Sequence, residues 1–129
     1  MIYVSTFFSV KIMYMGGDLM SMQAFHGKVK NIDDTPFGYT MSIIGGKWKM
    51  VILYLIAENE KVRFNALKRM IGTITYKTLS TQLKELEANG IIIRTEYPQI
   101  PPKVEYSLSE KGKSLIPILE TICEWGLDH

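Results

Sequence analysis

Tyr76, Lys77, Ser80, Thr81 and Lys84 share one side of any α-helix drawn through residues 75–89, and no acid occurs among residues 76–84. Hydroxyl and ammonium groups in that arrangement suit phosphate oxygens and the edges of bases. The opposite side carries Leu79, Leu83 and Leu86, an apolar stripe. Thr75 is a good N-cap for this helix and Gly90 a good stop. A solvated amphipathic helix has the same pattern, so the neighbouring elements must decide between the two readings.

Those neighbours predict a helix-turn-helix with a wing. Residues 37–44 read as a first helix stopped by Gly45-Gly46, and residues 47–57 as a second, with Trp48, Val51, Ile52 and Leu55 at core spacing. Glu58-Asn59-Glu60 is the break, and Lys61-Val62-Arg63 a short extended piece. Residues 64–71 form a helix presenting Phe64, Leu67 and Ile71 inward, and Gly72-Thr73-Ile74 turns the chain into the basic-faced helix. Two extended runs follow, residues 91–97 and 103–108, joined by Pro98-Gln99-Ile100-Pro101-Pro102. The prolines confine strand pairing to the flanks and leave a projecting loop. Val104, Tyr106 and Leu108 alternate with Glu105 and Ser107, whereas three consecutive isoleucines leave the facing of the earlier strand open. The fold class is therefore mainly α with a small β-hairpin, a winged helix-turn-helix.

Ser109 is expected to cap a final helix running to Trp125 and bent at Pro117. Leu115, Ile118, Leu119, Ile122 and Trp125 give this helix more apolar surface than a small domain needs, which points to a homodimer built on it. Cys123, beside Leu119 and Ile122, reads as an inert, buried thiol.

The 129 residues fit one domain with a tail: residues 1–34 as an N-terminal arm and 35–129 as the folded domain. Net charge is only +2, yet residues 61–94 hold seven lysines and arginines against two glutamates. A local basic face on a near-neutral chain favours a polyanion, here double-stranded DNA. A single cysteine excludes an intrachain disulfide, so a cytoplasmic location is expected. Residues 1–15 are apolar but lack a basic n-region and a cleavage site and are too short for a membrane span. Gly16-Gly17-Asp18-Leu19-Met20 can be encoded by a purine-rich ribosome-binding sequence, which suggests that translation begins at Met20 or Met22 and that residues 1–19 are a non-native leader. The alternative is a genuine arm that packs on a partner.

Other chemistries find little support. His26 and His129 have no ligand cluster around them, Gly45-Gly46 lacks a phosphate-loop frame, and no nucleophile, base and acid stand in order, so no metal, no cofactor and no enzymatic activity are expected. The runner-up function is a winged-helix protein-interaction module that does not bind DNA.

Ile44-Gly45-Gly46-Lys47-Trp48, Arg63-Phe64-Asn65-Ala66-Leu67, LSTQLKELEANG from Leu79 to Gly90 and YPQIPPKVEYSLSEKG from Tyr97 to Gly112 together resemble the HxlR-type bacterial transcriptional regulators, over roughly residues 35 to 126. The resemblance implies a dimeric regulator on a palindromic operator, often answering oxidants or electrophiles, with an effector that the residues do not identify. Many members look like Cys-Pro just before the first helix. Here Thr35 precedes Pro36, and a hydroxyl cannot form a disulfide. On this reading Tyr76, Lys77, Ser80 and Thr81 lie nearest the bases, the helix N-terminus at Thr75 faces a phosphate, Lys47, Arg63 and Lys84 hold the DNA backbone, and Arg94 and Lys103 flank the wing.

Overall fold

A computed structural model describes residues 30–129, and the arm residues before Lys30, with the proposed leader, lie outside that range. The chain divides into two units after Ser42. In the first part a short 3-10 turn, Ile32–Asp34, leads into α1 (Pro36–Ile44). Thr35 is the hinge between them: its hydroxyl donates to the Ile32 carbonyl at 2.6 Å and accepts from the Gly38 N–H at 2.9 Å. Capping a helix that opens on proline is what a threonine at this position does.

In the second part, helix α2 (Lys49–Asn59) is the hub, touching α3 (Phe64–Ile71), α4 (Tyr76–Ala88), the wing and the last helix. Its buried side chains are Lys49, Ile52, Leu53 and Ile56, at spacing i, i+3, i+4 and i+7. The expected face is thus rotated: Val51 is exposed and Trp48 and Leu55 only half buried. The helix also starts two residues later and ends two residues later than its sequence suggests. It stops at Glu60, whose φ of 61° is rare for a residue with a side chain. There the Lys61 N–H bonds to the Asn59 carbonyl at 2.6 Å, closing a γ-turn.

Gly72 makes the same kind of turn after α3, with φ 82° and a Thr73 N–H to Ile71 carbonyl bond of 3.0 Å. Thr75 then caps α4, accepting from the Thr78 N–H at 3.1 Å. At the other end the Ile91 N–H reaches the Leu86 carbonyl at 3.0 Å and the Gly90 N–H the Glu87 carbonyl at 2.9 Å. This is a Schellman closure, with Gly90 at φ 71° and Ile91 packed against Leu86. Leu79, Leu83 and Leu86 are fully buried. Each would cost about 2–5 kcal/mol if cut to alanine, so this face, not propensity, fixes the rotation of α4.

The wing pairs β1 (Ile92–Tyr97) with β2 (Lys103–Leu108) antiparallel, Ile92 opposite Leu108 and Tyr97 opposite Lys103. Val62 bridges Tyr106 with bonds of 2.8 and 3.0 Å, tying the wing to the α2–α3 link. The three isoleucines now have distinct tasks: Ile91 closes α4, Ile92 enters the core and Ile93 faces solvent. The final helix is not one bent rod. Ser109 caps a single turn, α5 (Glu110–Lys113), and a separate α6 (Ile116–Asp128) begins after Leu115. Pro117 stands in the first turn of α6, where its missing N–H leaves no bond within that helix unmade, so it starts the helix and does not kink it.

Gly112 marks the tightest joint. A Cβ there would stand 2.1 Å from the Ile91 carbonyl oxygen. The Ser109 hydroxyl, bonded at 2.9 Å to that same oxygen, leaves it no room to retreat. We expect Gly112→Ala to destabilise the fold by about 2–3 kcal/mol through overpacking. A thermal melt within about 2 °C of the parent, on the order of the error expected from a small stability change, would contradict this.

Candidate nucleic-acid interface

Burying the leucine stripe turns the opposite side of α4 outward. Tyr76, Lys77, Thr81 and Lys84 are exposed and Ser80 is half buried, so the five side chains form one continuous band. Two hydroxyls are already engaged locally. Thr75 serves the cap, and Thr81 donates to the Lys77 carbonyl at 2.9 Å. Both oxygens keep acceptor capacity. The first turn of α4 carries no acid, so its free N–H groups and positive dipole end stay open to an anion.

Tyr76 is 62% exposed, yet it is braced. Its ring stacks on Phe64 of α3, centroids 5.8 Å apart at 13°, and the Lys68 ammonium lies 4.7 Å from its centroid. The α3–α4 corner is therefore held by an aromatic contact at the end of α4 nearest the open N–H groups.

The other cations divide into two sets. Lys47 lies in the loop before α2, its ammonium 4.7 Å from the Trp48 ring centroid, and Arg63 sits exposed at the N-cap of α3. On the wing the cations have carboxylate partners two residues away on the same strand face. Arg94 meets Glu96 at 3.5 Å and Lys103 meets Glu105 at 2.8 Å. Lys103 also lies 4.9 Å from the Tyr97 ring centroid. The hydrogen bond from Lys103 holds the Glu105 carboxyl below its ordinary range, and Lys61 and Arg63 add to that. Arg63, Lys61 and Lys103 thus gather around one acid. The exposed Arg94–Glu96 pair contributes roughly 0–1 kcal/mol, so exchanging its carboxylate for phosphate is inexpensive, whereas the Glu105 side chain is only 13% exposed.

One ion pair was not legible from charge counting. Lys49, on the buried face of α2 and only 8% exposed, bonds to Glu85 of α4. Its spacing with Ile52, Leu53 and Ile56 was the available signal, because a lysine on a core face requires a partner.

On α6 the proposed interface residues separate. Leu119 is buried against its own domain and Leu115 is half buried, whereas Ile118, Ile122 and Trp125 are 45%, 49% and 66% exposed. Leu127 adds to this outward surface. Cys123 is exposed, which corrects the expectation of a buried thiol. The cause is that α6 outruns its support: Leu119 is its last buried residue, and everything from Glu120 onward faces outward. Cys123 should therefore react readily with a maleimide in dilute solution. If α6 faces cover each other in a dimer, labelling should slow by about fivefold or more as protein concentration is raised, on the order expected when most chains associate. A concentration-independent rate would place Cys123 outside any interface.

The family profile of HxlR-like helix-turn-helix proteins matches residues 43–129. The HTH-type transcriptional regulator BH0655 of Halalkalibacterium halodurans is 70% identical over 110 residues, covering 85% of this chain and 97% of that protein. The HTH-type transcriptional regulator YdzF of Bacillus subtilis is 52% identical over 92 residues, 71% of this chain and 84% of that one. Among solved structures, the redox regulator HypR in its oxidised form superposes with a TM-score of 0.70 at 47% identity, over 73% of this chain and 96% of its own. A MarR-family transcriptional regulator from Porphyromonas gingivalis W83 gives 0.71 at 35% identity, over 78% and 97%. The exposed band on α4, the paired strands of the wing and these relatives lead to one conclusion: the chain belongs to the HxlR-like helix-turn-helix family and is a DNA-binding transcriptional regulator of winged-helix fold.

Proposed function

We propose that this regulator binds a palindromic operator in double-stranded DNA as a homodimer, with α4 in the major groove. The observation that carries the proposal is the exposed band of Tyr76, Lys77, Ser80, Thr81 and Lys84, free of acids and backed by three buried leucines. Tyr76, Lys77, Ser80 and Thr81 lie nearest the bases, and Thr75 with the helix N-terminus faces a phosphate. Lys47, Arg63 and Lys84 hold the backbone. Arg94 and Lys103 join them on the wing once phosphates replace Glu96 and Glu105.

Residues 35–129 form the binding and dimerisation domain in this reading, and residues 1–34 an arm. Ile118, Ile122 and Trp125 supply the dimer contact, with Leu115 and Leu119 supporting it from beneath. Two domains about a twofold axis would meet half-sites one helical turn apart, roughly 34 Å. The regulator works without catalysis and in the cytoplasm. No single helix among the described residues is long and apolar enough to cross a membrane.

Titrating the protein into the best duplex recovered from a random-sequence selection tests the proposal. Sub-micromolar binding whose logarithm falls steeply with the logarithm of salt supports it. Binding only to protein partners, with none to any duplex, would favour the interaction-module reading instead.

A further inference from the structure

The pair between Lys49 and Glu85 does more than join two helices. Glu85 is four residues after Thr81, so the two are surface neighbours, and Glu85 borders the outward band of α4 with its side chain still 49% exposed. A lone carboxylate there would oppose phosphates drawn up to Lys84 and the band. Lys49 cannot itself reach DNA, because it is only 8% exposed and its ammonium is turned to Glu85. Nor does such a pair supply much net stability, since desolvating the two charges offsets most of their attraction.

We propose that Lys49 is an internal counter-ion for α4: it neutralises Glu85 from the protein side and so keeps an acid at the edge of the reading helix from repelling the DNA backbone. Lys49 is thereby a residue of the DNA-binding function that never touches DNA. The inference rests on α4 being the DNA-reading helix.

Four proteins test it: the parent, Lys49→Met, Glu85→Gln and the double variant. Methionine retains most of the apolar stem while removing the charge. The probes are the selected duplex and a mixed-sequence duplex of the same length, titrated at several salt concentrations, with a thermal melt for each protein. Freeing Glu85 should weaken binding of Lys49→Met to both duplexes roughly tenfold at low salt, with the deficit shrinking as salt screens it. Adding Glu85→Gln should restore affinity to within about twofold, a span well inside the effect of one charge. A structural role alone predicts neither the salt-dependent deficit nor the rescue.

Should Lys49→Met fail to fold, Lys49→Gln takes its place in the same cycle, because its amide can still hydrogen-bond the Glu85 carboxylate while carrying no charge to neutralise it. The double variant is expected to bind as the parent does. Parent-like binding by a folded Lys49→Met, or a loss that Glu85→Gln does not repair, would overturn the proposal. A Lys77→Ala, Lys84→Ala control run alongside keeps the two ideas apart. If that control binds normally, the placement of α4 is wrong; if it fails while Lys49→Met is normal, only the counter-ion role is wrong.

Discussion

Replacing Lys77 and Lys84 together by alanine is expected to lower affinity for the selected duplex about a hundredfold at roughly 150 mM salt, at about 1.4 kcal/mol for each lysine held against a phosphate. The salt slope should flatten by about two units, one for each lysine that no longer neutralises a phosphate. Both side chains are exposed and the leucines beneath them belong to other positions, so the fold should be unaffected. Lys84 is the sharper probe of orientation: it lies two turns beyond Lys77 and only a backbone running along α4 can meet both. A double variant that binds its duplex like the parent would remove α4 from the interface.

The second large effect is expected on α6. Ile118 and Ile122 are one turn apart and both half exposed, whereas Leu119 between them points into the domain. Ile118→Glu with Ile122→Glu should therefore leave the protomer folded and place two like charges at each side of the dimer contact. Sedimentation should then show a monomer. Affinity for a palindrome should fall by roughly 10²–10⁴, the avidity of two linked half-sites. An intact dimer would exclude α6 as the contact. The interface would then have to come from the first helix, where Phe37, Tyr39 and Met41 are exposed, together with the N-terminal arm.

What the sequence disclosed and withheld follows from range. The bounds of α3 and α4, the Thr75 cap, the Gly90 closure and the alternation of β2 are set by residues within one or two turns of each other, and they were legible. The core face of α2 was not, because residues 50–56 are apolar without a break and no periodicity marks an inward side. Only Lys49, the polar residue in line with Ile52, Leu53 and Ile56, hinted at the true rotation, and its partner lies 36 residues away on another helix. Cys123 misled for a related reason. It follows Leu119 at the spacing of a buried stripe, but spacing does not say where a helix leaves its support behind. On the wing, Arg94 with Glu96 and Lys103 with Glu105 were readable as same-face pairs from strand alternation, and ending the charge count at Arg94, two residues before its partner Glu96, overstated the basic face. Thr35 shows the reverse case, since a hydroxyl at that position cannot form a disulfide but does supply the cap of α1.

Methylation interference on the selected duplex tests the central claim most directly. Methyl groups at guanine N7 lie in the major groove and those at adenine N3 in the minor groove. With α4 seated as proposed, guanine N7 methylation should block binding at two clusters one helical turn apart, about 10 base pairs, related by the twofold axis of the site. Interference confined to adenine N3, or a single cluster with no symmetry mate, would contradict a dimer that reads the major groove through α4.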